Sequence, residues 1–101
     1  QAAGRYFAKA LFWRPEHGDT YVYLGFTELR SGRPELAEEA FRTAISLEPE
    51  RPGYHYALGQ ALKKQNRLPQ ALTAFGKELA HESTAAKARA QIEAIKSNPG
   101  R

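Results

Sequence analysis

The sequence predicts an all-α protein built from repeated pairs of helices. The dipeptide Leu24-Gly25 recurs as Leu58-Gly59, which lies 34 residues later in the chain. A fixed period of this length is typical of helical repeat proteins. Apolar residues are also spaced by three, four or seven positions, as they are on one face of an α-helix. The same shift relates three further pairs, which are Gly32 and Asn66, Ala37 and Ala71, and Phe41 and Phe75.

One whole repeat spans residues 18–51. In it, the aromatic residue Tyr21 is followed by Leu24 and Gly25, and later by Phe41 and Pro49 at fixed offsets. This pattern resembles the 34-residue tetratricopeptide repeat (TPR). The resemblance implies an α-solenoid of antiparallel helix pairs with about six helices. It divides the chain into the second helix of a truncated repeat (1–17), two full repeats (18–51 and 52–85) and a C-terminal capping helix with its tail (86–101).

The first predicted helix covers residues 1–13. It carries an apolar stripe at Ala3, Phe7 and Ala10, and Pro15 follows its end. These residues precede Ala37, Phe41, Ala44 and Pro49 by 34 positions, so the segment corresponds to the second helix of a repeat. We therefore expect the chain to be a fragment of a longer protein with further repeats upstream.

The first helix of the full repeat is predicted to end near Ser31. Asp19 is predicted to cap it by accepting a backbone N–H, because Asp is favoured at helix N-termini. Gly25 lies in the helix interior, where glycine costs about 1 kcal/mol relative to alanine. We interpret it as a position where the two helices of the pair approach closely. Tyr21 and Leu24 are predicted to face the partner helix.

Gly32 and Pro34 mark the link to the second helix of this repeat. Gly32 is predicted to end the preceding helix in the left-handed conformation, and Pro34 to lie in the first turn of the next. That helix is predicted to end near Leu47. The second repeat follows the same plan, with Glu78 at the place of Ala44. The last helix is predicted over residues 84–96, with Ser83 as its cap.

No pattern in the sequence points to catalysis, a metal or a cofactor. His17, His55 and His81 are far apart and lack metal-ligand spacing, and His55 is assigned to packing because it occupies the aromatic position of Tyr21. There is no phosphate-binding glycine loop and no nucleophile motif. The chain has no cysteine, which excludes disulfides and thiolate zinc sites. No apolar run approaches the ~18 residues of a membrane span. We therefore predict a protein that is not an enzyme.

Basic residues are concentrated in the second half of the chain. The net charge is +4, but residues 1–50 hold six basic and eight acidic residues, whereas residues 51–101 hold nine and three. Five basic residues and no acidic one lie between Arg51 and Lys77. This asymmetry favours an acidic or anionic partner.

The resemblance to TPR proteins implies a non-catalytic scaffold that binds a protein. In that family the first helix of each repeat lines a concave groove for an extended peptide or a partner helix. Such a groove would be aromatic on one side and basic on the other here, which suits an acidic and hydrophobic peptide. Its predicted residues are Val22, Phe26, Leu29 and Arg30 from the first repeat, Tyr56, Gln60, Lys63 and Lys64 from the second, and Lys87 and Gln91 from the closing helix.

One TPR subclass binds C-terminal tails through a carboxylate clamp of Lys and Asn. The chain departs from that pattern, because Val22, Phe26 and Ala57 occupy clamp positions. Two alternatives to a protein-binding groove remain. The basic half could bind nucleic acid, with Tyr54 and Tyr56 as stacking rings. The chain could also be a structural segment that self-associates or stacks on upstream repeats through its apolar first helix.

Overall fold

The computed structural model describes residues 17–97, and this part of the chain folds into five α-helices without a strand. The predicted helix over residues 1–13 and the tail over residues 98–101 lie outside the described residues. Helices are numbered here in chain order. They are α1 (Gly18–Arg30), α2 (Pro34–Leu47), α3 (Tyr54–Lys64), α4 (Leu68–Glu78) and α5 (Glu82–Ser97).

Each helix packs mainly against the next helix in the chain. Within the repeats, α1 pairs with α2 and α3 pairs with α4, while α2 contacts α3 and α4 contacts α5 between them. A smaller contact between α1 and α3 places the first helices of the two repeats side by side. Packing between near neighbours is typical of helical solenoids. The predicted all-α fold of paired helices is confirmed.

Phenylalanine rings pack directly against glycines between the paired helices. A Cβ atom at Gly25 would lie 2.3 Å from Cε1 of Phe41, and one at Gly59 would lie 2.6 Å from Cε1 of Phe75. Both phenylalanines are fully buried. Any larger residue at either glycine would displace a core ring, because protein interiors are close-packed. At Gly25 the nearest group of the paired helix is therefore the ring of Phe41.

The turns between paired helices repeat each other. Gly32 has φ +80° and Asn66 has φ +61°, so both adopt the left-handed conformation predicted for this place. The residue after each, Arg33 or Arg67, donates its N–H to the carbonyl oxygen five positions earlier, at 2.9 Å and 3.0 Å respectively. This pattern satisfies carbonyl groups that the helix end leaves free. The 34-residue period therefore extends to the backbone of the turns.

The predicted cap at Asp19 is wrong. Helix α1 begins at Gly18, the residue before Asp19, so Asp19 lies inside the helix. The Gly18 N–H donates to Oε2 of Glu48 at 3.0 Å. The carboxylate of Asp19 instead accepts hydrogen bonds from the Tyr54 hydroxyl (2.6 Å) and from Nη2 of Arg51 (3.0 Å). The N-terminus of α1 is thus capped by a side chain that follows α2. Both carboxylates connect the first repeat to the start of the second.

Glu78 is fully buried where α4 ends, at a position where the first repeat has Ala44. Its carboxylate accepts hydrogen bonds from the N–H groups of Gly53 (2.5 Å) and Tyr56 (3.0 Å), and from the Thr84 hydroxyl. A carboxylate at a helix N-terminus satisfies free N–H groups and suits the helix dipole. Glu78 therefore caps α3 and joins it to α5.

The last helix begins at Glu82, two residues before its predicted start and inside the predicted second repeat. Ser83 therefore lies within the first turn of α5 and not at its cap. The Thr84 N–H bonds to the carbonyl oxygen of His81 at 3.1 Å, and its hydroxyl reaches the buried Glu78. The predicted start at residue 84, which depended on Ser83 preceding an alanine-rich segment, is therefore two residues too late.

Candidate partner-binding groove

Five of the predicted groove residues form two sets of contacts where α3 meets α5. Lys63 donates from Nζ to Oε1 of Gln91 at 2.7 Å, and Gln60 donates from Nε2 to the Tyr56 hydroxyl at 3.1 Å. The Nζ atom of Lys87 lies 4.8 Å from the centre of the Tyr56 ring. Residues at positions 56, 60 and 63 share one face of α3 because of the helical period. This face meets α5 through polar and cationic groups.

Tyr56 has a structural partner on one side and a cation on the other. Its ring packs on the core ring of Phe75, with centres 5.4 Å apart and planes inclined by 58°. Contact of an exposed ammonium group with an aromatic ring contributes about 0.5–1 kcal/mol. Tyr56 and Lys87 thus hold each other in place, and Tyr56 stays half-buried at the surface.

The apolar predicted residues on α1 are partly buried. Val22, Phe26 and Leu29 pack against the core, and the Phe26 ring meets Phe41 edge to face, with centres 5.1 Å apart. These three residues therefore serve packing and keep part of their surface exposed. Arg30 ends α1 as an exposed side chain. The contact between α1 and α3 places this apolar face beside the polar cluster.

The groove is defined here as the exposed face of α1, α3 and α5 that carries these predicted residues. A family model for the tetratricopeptide repeat matches residues 23–88. The chain belongs to the tetratricopeptide repeat family. A search of curated proteins found no match to the chain. TPR repeats generally mediate protein–protein interactions, and the family is typically a non-catalytic scaffold.

Two cations of the basic run are neutralised by acidic residues of the first TPR. Arg51 forms ion pairs with Asp19 and Glu48, both at 3.0 Å. Arg67 pairs with Glu38 at 2.7 Å. Lys63, which bonds to the neutral Gln91, and the exposed Lys64 form no ion pair within residues 17–97. The charge that remains for a partner is therefore smaller than the sequence count suggests, and part of it lies on the groove.

Glu38 joins α2 to the turn between α3 and α4. It accepts hydrogen bonds from Arg42 (2.9 Å), Arg67 (2.7 Å) and Gln65 (3.0 Å). Burial raises the pKa of this carboxyl, but hydrogen bonds from Gln65 and Arg42 and the charges of the two arginines outweigh it. The pKa of Glu38 is therefore lower than its ordinary value.

Tyr54 is not available as a stacking ring. Its side chain is buried and its hydroxyl donates to Asp19 at 2.6 Å. Burial and the neighbouring Asp19 carboxylate raise the pKa of this hydroxyl above its ordinary value. The ring also lies against Gly18, where a Cβ atom would be only 2.7 Å from Cε2. The prediction that Tyr54 stacks on nucleic acid bases is therefore wrong.

His55 lies on a different face of α3 from the groove. Its Nδ1 atom is buried and has no hydrogen-bond partner among the described residues. Such a group costs about 1–3 kcal/mol if it stays unpaired. Burial, and then the positive charge of Lys77, lower the pKa of His55, which favours its neutral form. Within residues 17–97, no cluster of His, Cys, Asp or Glu could hold a metal ion.

Sequence reasoning missed a second concave feature, which we call the outer cleft. It has a volume of about 390 Å³ and lies between α2, α3 and α4. A smaller cleft of about 320 Å³ occupies the equivalent place in the first TPR. The 34-residue shift is therefore the signal in the sequence that relates the lining residues of the two clefts. In the part of the chain that the structure describes, no helix is long and apolar enough to cross a membrane.

Proposed function

We propose that this TPR protein binds an acidic, amphipathic peptide or partner helix in the groove of α1, α3 and α5. The observation that carries the proposal is that Lys87 lies over the half-buried ring of Tyr56, while Lys63, two turns further along the same face of α3, reaches Gln91 of α5. Aromatic residues are enriched at protein-binding sites, and cations at the rim of such a site select partners of opposite charge. The partner would lie across the first helices of consecutive repeats.

The two parts of the groove suit different parts of such a partner. The partly exposed Val22, Phe26 and Leu29 offer apolar contact, whereas Lys63 and Lys87 attract carboxylates. Rim charges mainly raise the rate of association and select partners of complementary charge. A segment that alternates apolar and acidic side chains would therefore bind more strongly than a basic or wholly polar one.

Capture from a lysate of the source cells tests this proposal. Immobilised chain is compared with the variant Lys63→Glu/Lys64→Glu, each with and without nuclease. The control variant Arg89→Glu/Lys96→Glu makes the same charge change on the other side of α5, because positions 89 and 96 share a helix face that Lys87 does not. Circular dichroism verifies that all three chains remain helical.

The proposal expects the unaltered chain and the control to capture the same protein partner with and without nuclease. The groove variant should capture at least about tenfold less of it, because charge reversal adds repulsion to lost attraction. Equal capture by all three chains would contradict a role for the groove cations. Loss of capture on nuclease treatment would replace the proposal with nucleic-acid binding.

A further inference from the structure

The outer cleft has an apolar floor and a polar rim. Its floor includes Ile45 from α2, Leu58 and Leu62 from α3, and Ala74 from α4. A volume of about 390 Å³ lies within the range of about 300–1,000 Å³ that is usual for ligand sites. The groove uses α1 and α5 and another face of α3, so the two surfaces are separate.

Comparison of the two TPRs shows which properties of the outer cleft are specific to it. All seven described residues that line the smaller cleft of the first repeat lie 34 positions before a residue of the outer cleft. The repeat geometry therefore creates the shape, and the side chains determine its chemistry. Polar or charged residues replace less polar ones at two places, with Lys77 instead of Thr43 and Gln70 instead of Leu36.

Two cations at the rim are free to bind an anion. Lys77 is exposed and forms no ion pair with any residue from 17 to 97. Arg42 binds Glu38 through Nε at 2.9 Å, which leaves its terminal nitrogens without a partner in the same range. His55 also lines the cleft, and its buried Nδ1 lacks a partner there. The rim thus offers positive charge and unsatisfied polar groups next to an apolar floor.

We propose that the outer cleft is a second peptide site, which binds a segment of a partner protein with a branched apolar side chain next to an Asp or Glu. The apolar side chain contacts Ile45, Leu58 and Ala74. The neighbouring carboxylate pairs with Lys77 and the free guanidinium nitrogens of Arg42. Charge complementarity selects this occupant, because none of the described residues that line the outer cleft is acidic, whereas Glu28 and Glu39 line the cleft of the first repeat.

The remaining rim groups favour a peptide over a small acid. Ser46 and Gln70 line the cleft without a hydrogen-bond partner among the described side chains and backbone. A hydroxyl and an amide can both donate and accept, so they suit the N–H and C=O groups of a peptide backbone.

Nuclear magnetic resonance titration of the full chain with two blocked peptides tests the proposal. The probes are acetyl-Ala-Leu-Glu-Ala-amide and its Gln counterpart, which differ only in the carboxylate. We expect saturable shifts centred on His55, Ala74 and Lys77, and roughly threefold weaker binding of the Gln peptide, as for a partly exposed ion pair. The Lys77→Gln variant should bind the Glu peptide more weakly than the unaltered chain does, with Arg42 still contributing, while Lys96→Gln should bind both peptides like the unaltered chain.

Three results would overturn the proposal. Equal affinity of the two peptides would exclude recognition of the carboxylate. An equal effect of Lys77→Gln and Lys96→Gln would exclude the outer cleft as the place of binding. Binding of free 4-methylpentanoate as tightly as the Glu peptide would identify a small-acid site instead. The groove variant Lys63→Glu/Lys64→Glu leaves the outer cleft intact, so failure at one surface is distinguishable from failure at the other.

Discussion

Replacement of Glu78 by alanine tests how three helices of this TPR protein are held together. The buried carboxylate accepts hydrogen bonds from the N–H groups of Gly53 and Tyr56 at the start of α3 and from the Thr84 hydroxyl in α5. Glu78→Ala removes all three bonds and leaves the partly buried donors without their acceptor. Glu78→Gln keeps the size of the side chain and one oxygen acceptor, but it places an NH₂ group next to N–H donors.

The expected loss is large compared with the stability of a small domain. A hydrogen bond to a charged group contributes about 1.5–3 kcal/mol. The three bonds belong to one network and are not additive, so we expect Glu78→Ala to lower the free energy of unfolding by about 3–5 kcal/mol. Domains are stable by only about 5–15 kcal/mol in total. Glu78→Gln should lose about half as much, because one acceptor oxygen remains.

Urea unfolding followed by circular dichroism measures these differences. With a slope of about 2 kcal/mol per molar urea, the midpoint for Glu78→Ala should fall by roughly 2 M. Glu93→Ala removes an exposed glutamate from α5 and is the matched control, with a change near zero. A midpoint for Glu78→Ala that equals the control would refute the assignment of Glu78 as the joint between α3, α4 and α5.

Three further predictions concern packing and pH. Gly25→Ala should lower the melting temperature, because the added Cβ displaces Phe41 at a cost of about 1–3 kcal/mol. Gly76→Ala should raise the melting temperature, because a Cβ added there would meet no atom of the described chain within 4 Å outside its own helix and alanine favours the helix over glycine. The pKa of Glu38 is lower than its ordinary value of 4.5, so the ionised carboxylate stabilises the fold above pH 4.5. The free energy of unfolding should therefore fall as the pH drops below 4.5, and it should fall less in Glu38→Gln. The lowered pKa of His55 predicts a loss of stability as the pH falls below 6.5. Urea unfolding at several pH values should show a smaller loss in His55→Phe.

Local features of the fold could be predicted from the sequence because the repeat period carries them. Gly32 and Asn66 occupy the same place in the two repeats, and both have positive φ. Gly25 and Gly59 face Phe41 and Phe75 in the same way. Each feature depends on residue size or backbone freedom at a fixed offset, so a shift of 34 residues is enough to find it.

Long-range polar contacts could not be predicted in the same way. Asp19 suited a helix cap locally, but its oxygens bind Arg51 and Tyr54, which lie more than 30 residues away. Arg67 counted as part of a basic run, although Glu38 pairs with it from the first repeat. A charge count along the chain cannot include partners that only the fold brings close. The basic character of the second half was overestimated for this reason.

Site-specific photo-cross-linking tests the central claim that the groove of α1, α3 and α5 binds the partner. Benzoylphenylalanine is placed at Lys87 in one chain and at Arg89 in another, and both are irradiated in lysate of the source cells. Both positions are exposed on α5 and each loses one cation, but residues two apart point to nearly opposite sides of a helix. The account predicts a protein adduct from position 87 that is absent from position 89. Adducts of equal yield at both positions, or at position 89 alone, would contradict it.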